Sequence, residues 1–103
     1  MAETVFEKQG SVLTVKPEGR LDALNAPVLG KELQKNLSDD VRDIIFDFAK
    51  VVYIASAGMR VMLETEQKME DRDGSMRVIH VKAPIIEVFE LVGFMDIIDV
   101  EEE

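Results

Sequence analysis

The 103 residues carry 21 acidic against 12 basic side chains, a net charge of −9, with 47% hydrophobic and 32% charged residues. This is the composition of an ordinary globular chain sized for one core, and its acidity argues against nucleic acid or an anionic membrane surface as partner. The lack of cysteine removes disulfides and thiolate metal sites, and the polar start Met1-Ala2-Glu3-Thr4, with no long apolar run after it, is unlike a signal peptide or membrane span, so one cytoplasmic domain is expected.

Thr4 to Lys8 and Ser11 to Lys16 are short β-prone runs on either side of Gln9-Gly10. Val12, Thr14 and Lys16 alternate with Leu13 and Val15, which predicts a hairpin turning at Gly10. Pro17-Glu18-Gly19 interrupts the pattern, and Arg20-Leu21-Asp22 reads as a brief further strand. Leu24-Asn25-Ala26-Pro27 opens a helix, because proline is tolerated in a first turn whose N–H groups are unpaired. Ala26, Leu29, Leu33 and Leu37 form its apolar stripe, and it should stop between Asn36 and Asp39. Gly30 weakens it by roughly 1 kcal/mol relative to alanine.

Ile44-Ile45-Phe46-Asp47-Phe48 is almost continuously apolar, as expected of a central strand covered on both faces. The stretch Val51 to Leu63, VVYIASAGMRVML, then passes from an apolar run through small residues into helical spacing: a strand or its exit, a tight loop, a helix start. The helix is predicted over Ala57 to Asp71, its inner side traced imperfectly by Met59, Met62, Leu63, Glu66 and Met69, with Glu66 off pattern. Ser56, Arg60, Glu64, Lys68 and Arg72 form an unbroken i,i+4 row facing solvent, and Gly74 is expected as a left-handed cap. Met76 to Val81 is a further strand, and Pro84 opens a short helix with Ile85, Val88, Phe89 and Val92 on one face, ended by Gly93. Met95 to Val100 is predicted as an edge strand, followed by a solvated acidic tail. This order, β-β-(β)-α-β-α-β-α-β, predicts an α/β fold: a mixed β-sheet with an N-terminal antiparallel hairpin, followed by alternating helices and strands.

Ser56 stands where the first unpaired N–H groups of a helix point outward, so its hydroxyl is a candidate cap. Ala55, Ala57 and Gly58 around it are small enough to admit a visiting protein. Met59 lies close to the loop, while the other methionines are read as core filler. Asp47 reads as a buried or strand-end acid, structural or catalytic, without a histidine or second well-placed acid to form a dyad. His80, the only histidine, is read as packing. No catalytic group, metal-ligand set or cofactor motif stands out, and there is no Gly-Lys-Ser/Thr phosphate loop.

The segments Gly19-Arg20-Leu21-Asp22 with Asn25, Ile45-Phe46-Asp47-Phe48, Tyr53 through Leu63, and Ala83-Pro84 with Leu91-Val92-Gly93-Phe94 together resemble the STAS domain of bacterial anti-sigma factor antagonists (SpoIIAA-like). The resemblance spans nearly the whole chain. It implies that Ser56 is the serine phosphorylated by a partner that is both anti-sigma factor and serine kinase, of the histidine-kinase-like ATPase type. A PP2C-type phosphatase would remove the phosphate. It also places Asp22 and Asn25 in the loop bordering that serine, among the residues that would bind the partner. Ala55, Ala57, Gly58, Met59 and Arg60 would meet the partner, with Ala55 and Ala57 standing where some members carry aspartate or serine. The alternative is a constitutive STAS subunit or scaffold of a transporter or signalling complex.

Overall fold

A computed structural model of the chain describes residues 4–103. Strands β1 (Val5–Gln9) and β2 (Val12–Lys16) pair antiparallel through the two-residue loop Gly10-Ser11. Gly10 takes φ +59° there, the positive φ that lets a two-residue turn follow the twist of its strands. Beyond the hairpin every pairing is parallel: β2 with β4 (Asp43–Asp47), β4 with β6 (Ser75–Val81), and β6 with β7 (Asp99–Glu102). The resulting sheet has the order β1-β2-β4-β6-β7, so the predicted mixed sheet with its leading hairpin is what forms. Helices α1 (Ala26–Asn36), α2 (Ser56–Asp71) and α3 (Ala83–Leu91) supply the crossovers, and a 3-10 turn, Phe94–Asp96, follows α3.

Alternation decides which strand residues enter the core. Leu13, Val15, Ile44, Phe46, Met76 and Val78 are buried, whereas Thr14, Ile45 and Ile79 are only half-buried. The strand β4 is therefore central in pairing but fully covered on one face only, where two covered faces were predicted. Leu29 and Leu33 of α1, Met62 and Met69 of α2, and Phe89 of α3 complete the core. Burying each such side chain contributes about 1.5–3 kcal/mol. Phe46 meets Phe48 edge-on at 6.4 Å, and Phe89 stacks on Phe94 at 4.5 Å.

Two further strands, β3 (Glu18–Leu21) and β5 (Lys50–Ile54), form a separate two-stranded parallel sheet. The sequence marks both segments as strand-like but not as partners. They end together, with Leu21 opposite Ile54, and the candidate site is built on those two ends.

Several sequence expectations need correction. The inward face of α2 is Gly58, Val61, Met62, Thr65 and Met69, and Leu63 is exposed. Thr65 is tolerated inside because its hydroxyl donates to Val61 O at 2.7 Å. The left-handed residue after α2 is Asp73 (φ 55°) rather than Gly74. Gly74 is needed for space, since a Cβ there would lie 2.1 Å from Arg42 O. Residues Met95 to Asp96 belong to the 3-10 turn, and β7 starts only at Asp99. The acidic tail is exposed but paired, with Glu103 N donating to Val81 O and Glu101 meeting Arg77. His80 is exposed at φ 58°, beside the register shift between β6 and β7, and its Nδ1 lies 2.8 Å from Asp47 Oδ1. Asp47 thus has the histidine neighbour that the sequence concealed. Burial pushes its carboxyl up, but bonds from His80 and the Ala49 N–H outweigh this and hold it below its ordinary value.

Asp40, in the turn before β4, accepts hydrogen bonds from the Lys8 ammonium (2.7 Å) and the Ser38 hydroxyl (2.6 Å). These bonds bring its carboxyl from 3.8 down to about 2. A depressed folded-state value stabilises the protein above the unfolded value and is lost as pH falls through the folded one. Asp40→Asn should therefore be less stable than the parent at pH 6, with the difference closing between about pH 4 and pH 2. Urea midpoints measured across that range check this, and a gap that ignores pH would exclude the ion pair as its cause.

Candidate functional site

The loops that follow Leu21 and Ile54 lie side by side because their strands pair in register, and the Ala55 N–H bonds Leu21 O at 2.9 Å. In the first loop, Asp22 Oδ1 accepts from the N–H groups of Leu24 (3.1 Å) and Asn25 (3.0 Å). The Asn25 N–H, then that of Leu24 and the nearby Arg20, hold the Asp22 carboxyl below its ordinary value against the effect of burial. Asn25 Nδ2 in turn donates to Arg20 O at 3.0 Å, and the Arg20 guanidinium sits 4.1 Å above the Tyr53 ring. The loop that carries Asp22 and Asn25 adjoins the loop before Ser56, and the hydrogen bonds of both side chains are spent on shaping their own loop and the start of α1.

In the second loop, Ala55 is the cap residue, extended at φ −106° and ψ 178°, and Ser56 is the first residue of α2. The helix starts one residue earlier than predicted. Alanine at the cap has no side-chain acceptor, and the Ser56 hydroxyl makes no capping bond. The cap role expected of Ser56 is therefore not what is found: the residue is exposed, and its hydroxyl makes no hydrogen bond among the described residues. Gly58 is buried against the end of β3, where a Cβ would come within 2.7 Å of Leu21 O and 2.8 Å of Ile54 Cγ1. It brings α2 close to the small sheet and is not itself a surface for a visitor. Ala57 and Met59 are half-buried, and Arg60 is exposed one turn beyond Ser56.

Ser56 lines two grooves, one that carries charged side chains and one that has none. The first, a cavity of about 570 Å³ between α1 and α2, is lined by Lys31 and Gln34, and by Ser56, Arg60 and Glu64. The second, a cavity of about 300 Å³, is lined by Ile54, Met59, Leu63, Val88, Val92, Phe94 and Ile97, with Ala55 and Ser56. Val92 is 62% and Ile97 58% exposed. From Ala83 to Glu103 the chain has no lysine or arginine and seven acids, so the apolar groove lies beside an acidic segment.

Sequence reasoning missed both grooves. The apolar one had a signal: Gly58, Val61, Met62, Thr65 and Met69 fit helical spacing better than the set that included Leu63, which leaves Leu63 exposed and Met59 at the edge of the core. Lys31 and Gln34 gave none, since they sit on the outer side of α1.

No helix among the described residues is long and apolar enough to cross a membrane. A family model described as the STAS domain matches residues 3–103. The chain belongs to the STAS domain family. Among curated STAS relatives it is 30% identical to the Bordetella bronchiseptica protein BtrV, which carries a provisional anti-sigma factor antagonist name, over 92% of this chain and 82% of that one. It is 29% identical to the anti-sigma-B factor antagonist of Staphylococcus aureus, over 91% of this chain and 87% of the relative. Among solved structures, the Bacillus cell fate determinant SpoIIAA in its phosphorylated form superposes with a TM-score of 0.75 at 16% identity, covering 98% of this chain and 93% of that one. The unphosphorylated SpoIIAA structure scores 0.76. These likenesses bear out the STAS architecture, hairpin and alternating elements included.

Proposed function

We propose that this STAS protein is an anti-sigma factor antagonist, switched by phosphorylation of Ser56. The observation that carries the reading is the exposed serine that lines both grooves, its hydroxyl making no hydrogen bond among the described residues. The names of the Bordetella and Staphylococcus relatives and the existence of a phosphorylated SpoIIAA support it. Unmodified, Ser56 and the adjoining apolar groove dock onto an anti-sigma factor, which releases its sigma factor. Ala55, Ala57 and Met59 give that partner close access, and Arg60 meets it from the exposed face of α2. Asp22 and Asn25 hold the neighbouring loop in shape.

The partner is a serine kinase of the histidine-kinase-like ATPase type, and it supplies the ATP. The Ser56 oxygen attacks the γ-phosphorus, an O–P bond forms, the β–γ bridging bond breaks, and ADP leaves. The hydroxyl proton passes to a base on the kinase, because the one carboxylate lining the cavities at Ser56, that of Glu64, stands two turns along α2, about 12 Å of helix rise away. A PP2C-type phosphatase returns the serine by hydrolysis. On this reading the protein works in the cytoplasm.

The test is incubation with a cognate kinase of this class and ATP, followed by mapping of phosphate by mass spectrometry. One phosphate on Ser56 is expected, and none on Ser56→Ala. A kinase that binds the protein tightly yet leaves Ser56 unmodified would instead favour a constitutive scaffold.

A further inference from the structure

The chain carries 12 lysines and arginines, and ion pairs among the described residues occupy six of them, Lys8, Lys16, Arg20, Lys50, Arg77 and Lys82. Arg42 and Arg72 donate to backbone carbonyls instead. The remaining four cations, Lys31, Lys35, Arg60 and Lys68, make no ion pair among the described residues, and all four lie on α1 or α2. In a protein with nine excess negative charges, four cations left unpaired on two adjacent helices are an uneven distribution.

Only two of the four line the cavity that contains Ser56, namely Lys31 and Arg60. Their placement follows from how the helices meet. A Cβ on Gly30 would lie 3.7 Å from Val61 Cγ2, so the helices approach closely there. Lys31 and Arg60 are the chain neighbours of that contact, one on each helix. The other charged group lining the cavity is Glu64, and Gln34 adds an amide donor. The groove therefore carries two cations against one anion.

We infer that this groove is a seat for the phosphate carried by phosphorylated Ser56, with Lys31 and Arg60 as its ligands. The inference rests on the phosphorylation proposed above and adds where the phosphate goes. Phosphoserine brings a charge of about −1.5 to −2 and three acceptor oxygens. The apolar groove at Ser56 is lined chiefly by Ile54, Met59, Leu63, Val88 and Val92, which offer it no side-chain donor. A dianion is not stable against such a surface. The guanidinium of Arg60 presents a planar fork suited to phosphate oxygens, and Lys31 supplies a second point charge from the facing helix. The phosphate thus bridges α1 and α2 without refolding either.

The test installs phosphoserine at position 56 by biosynthetic incorporation, so it does not depend on any kinase. The phosphate is then titrated by phosphorus NMR. A free phosphoserine loses its second proton near pH 6. In the seat, that midpoint should fall by about one unit, since nearby opposite charge favours the dianion. Lys31→Met and Arg60→Met should each restore a substantial part of the shift. Lys35→Met and Lys68→Met remove the same charge from the same helices outside the cavity and should change it little. A midpoint at or above about 6 in the parent protein, or four equal responses, would overturn the seat. These are surface substitutions that keep the side-chain stem, and unchanged melting curves confirm that the fold is intact. Should no kinase modify Ser56 while the shift is present, the seat stands and the switch falls.

Discussion

Gly58→Ala should destabilise the protein by about 2 kcal/mol, even though alanine is the better helix former by about 1 kcal/mol. The new methyl carbon would stand 2.7 Å from Leu21 O, 2.8 Å from Ile54 Cγ1 and 3.0 Å from Leu21 Cβ. All three atoms belong to Leu21 and Ile54, the paired ends of β3 and β5, and the Leu21 carbonyl already accepts the Ala55 N–H at 2.9 Å. A backbone oxygen cannot rotate away as a side-chain tip can. Either the first turn of α2 lifts or the end of the small sheet retreats, and both stretch the Ala55 bond. Overpacking of this kind costs up to about 3 kcal/mol, and the gain in helix propensity offsets about a third of it. Gly30→Ala is the paired control. Its methyl group meets only Val61 Cγ2, at an ordinary 3.7 Å, so propensity should prevail and the protein should gain up to about 1 kcal/mol. Urea unfolding of both variants measures the difference. Equal midpoints would show that the close approach of α2 to β3 does not decide the role of Gly58.

The same contact explains what was legible in the sequence. Local signals carried the hairpin, the three helices and the order of the main strands, because each depends on spacing within a dozen residues. The β3–β5 sheet depends on pairing Glu18–Leu21 with Lys50–Ile54 across some thirty residues. Val52 and Tyr53 are exposed there, so β5 lacks the clean alternation that announces a half-buried strand. His80 was misjudged for a related reason. A β-strand position normally places its side chain by parity, but the register shift and φ of 58° turn this one out toward Asp47. At the candidate site, the position of Ser56 was readable from the small residues around it and from the family resemblance. That its hydroxyl is free of capping was not, because a one-residue change in where α2 begins decides it. Asp22 was readable as a turn residue, and its two bonds to backbone N–H groups are what that residue type does in such a loop.

Ser56→Asp should weaken binding to the anti-sigma factor roughly 150-fold, a loss of about 3 kcal/mol, while Ser56→Ala should bind like the parent. Titration calorimetry with the purified partner measures both. The asymmetry follows from the surroundings of Ser56. A partner that covers Ser56 and the apolar groove removes water from this position, and a hydroxyl loses little there. A carboxylate must shed its hydration shell beside Ile54, Ala55 and Met59, which return no hydrogen bond from their side chains. Aspartate carries one charge where phosphate carries nearly two, and it is too short to extend as far toward Lys31 and Arg60, so it tests the desolvation cost with less help from the cations. Salt separates the contributions. A loss that came only from long-range repulsion between exposed charges would largely vanish at 1 M salt, where the screening length is about 3 Å. A desolvation cost persists. If the aspartate and alanine variants bind equally well at every ionic strength, Ser56 is not covered by the partner, and a charge placed there cannot act as the switch.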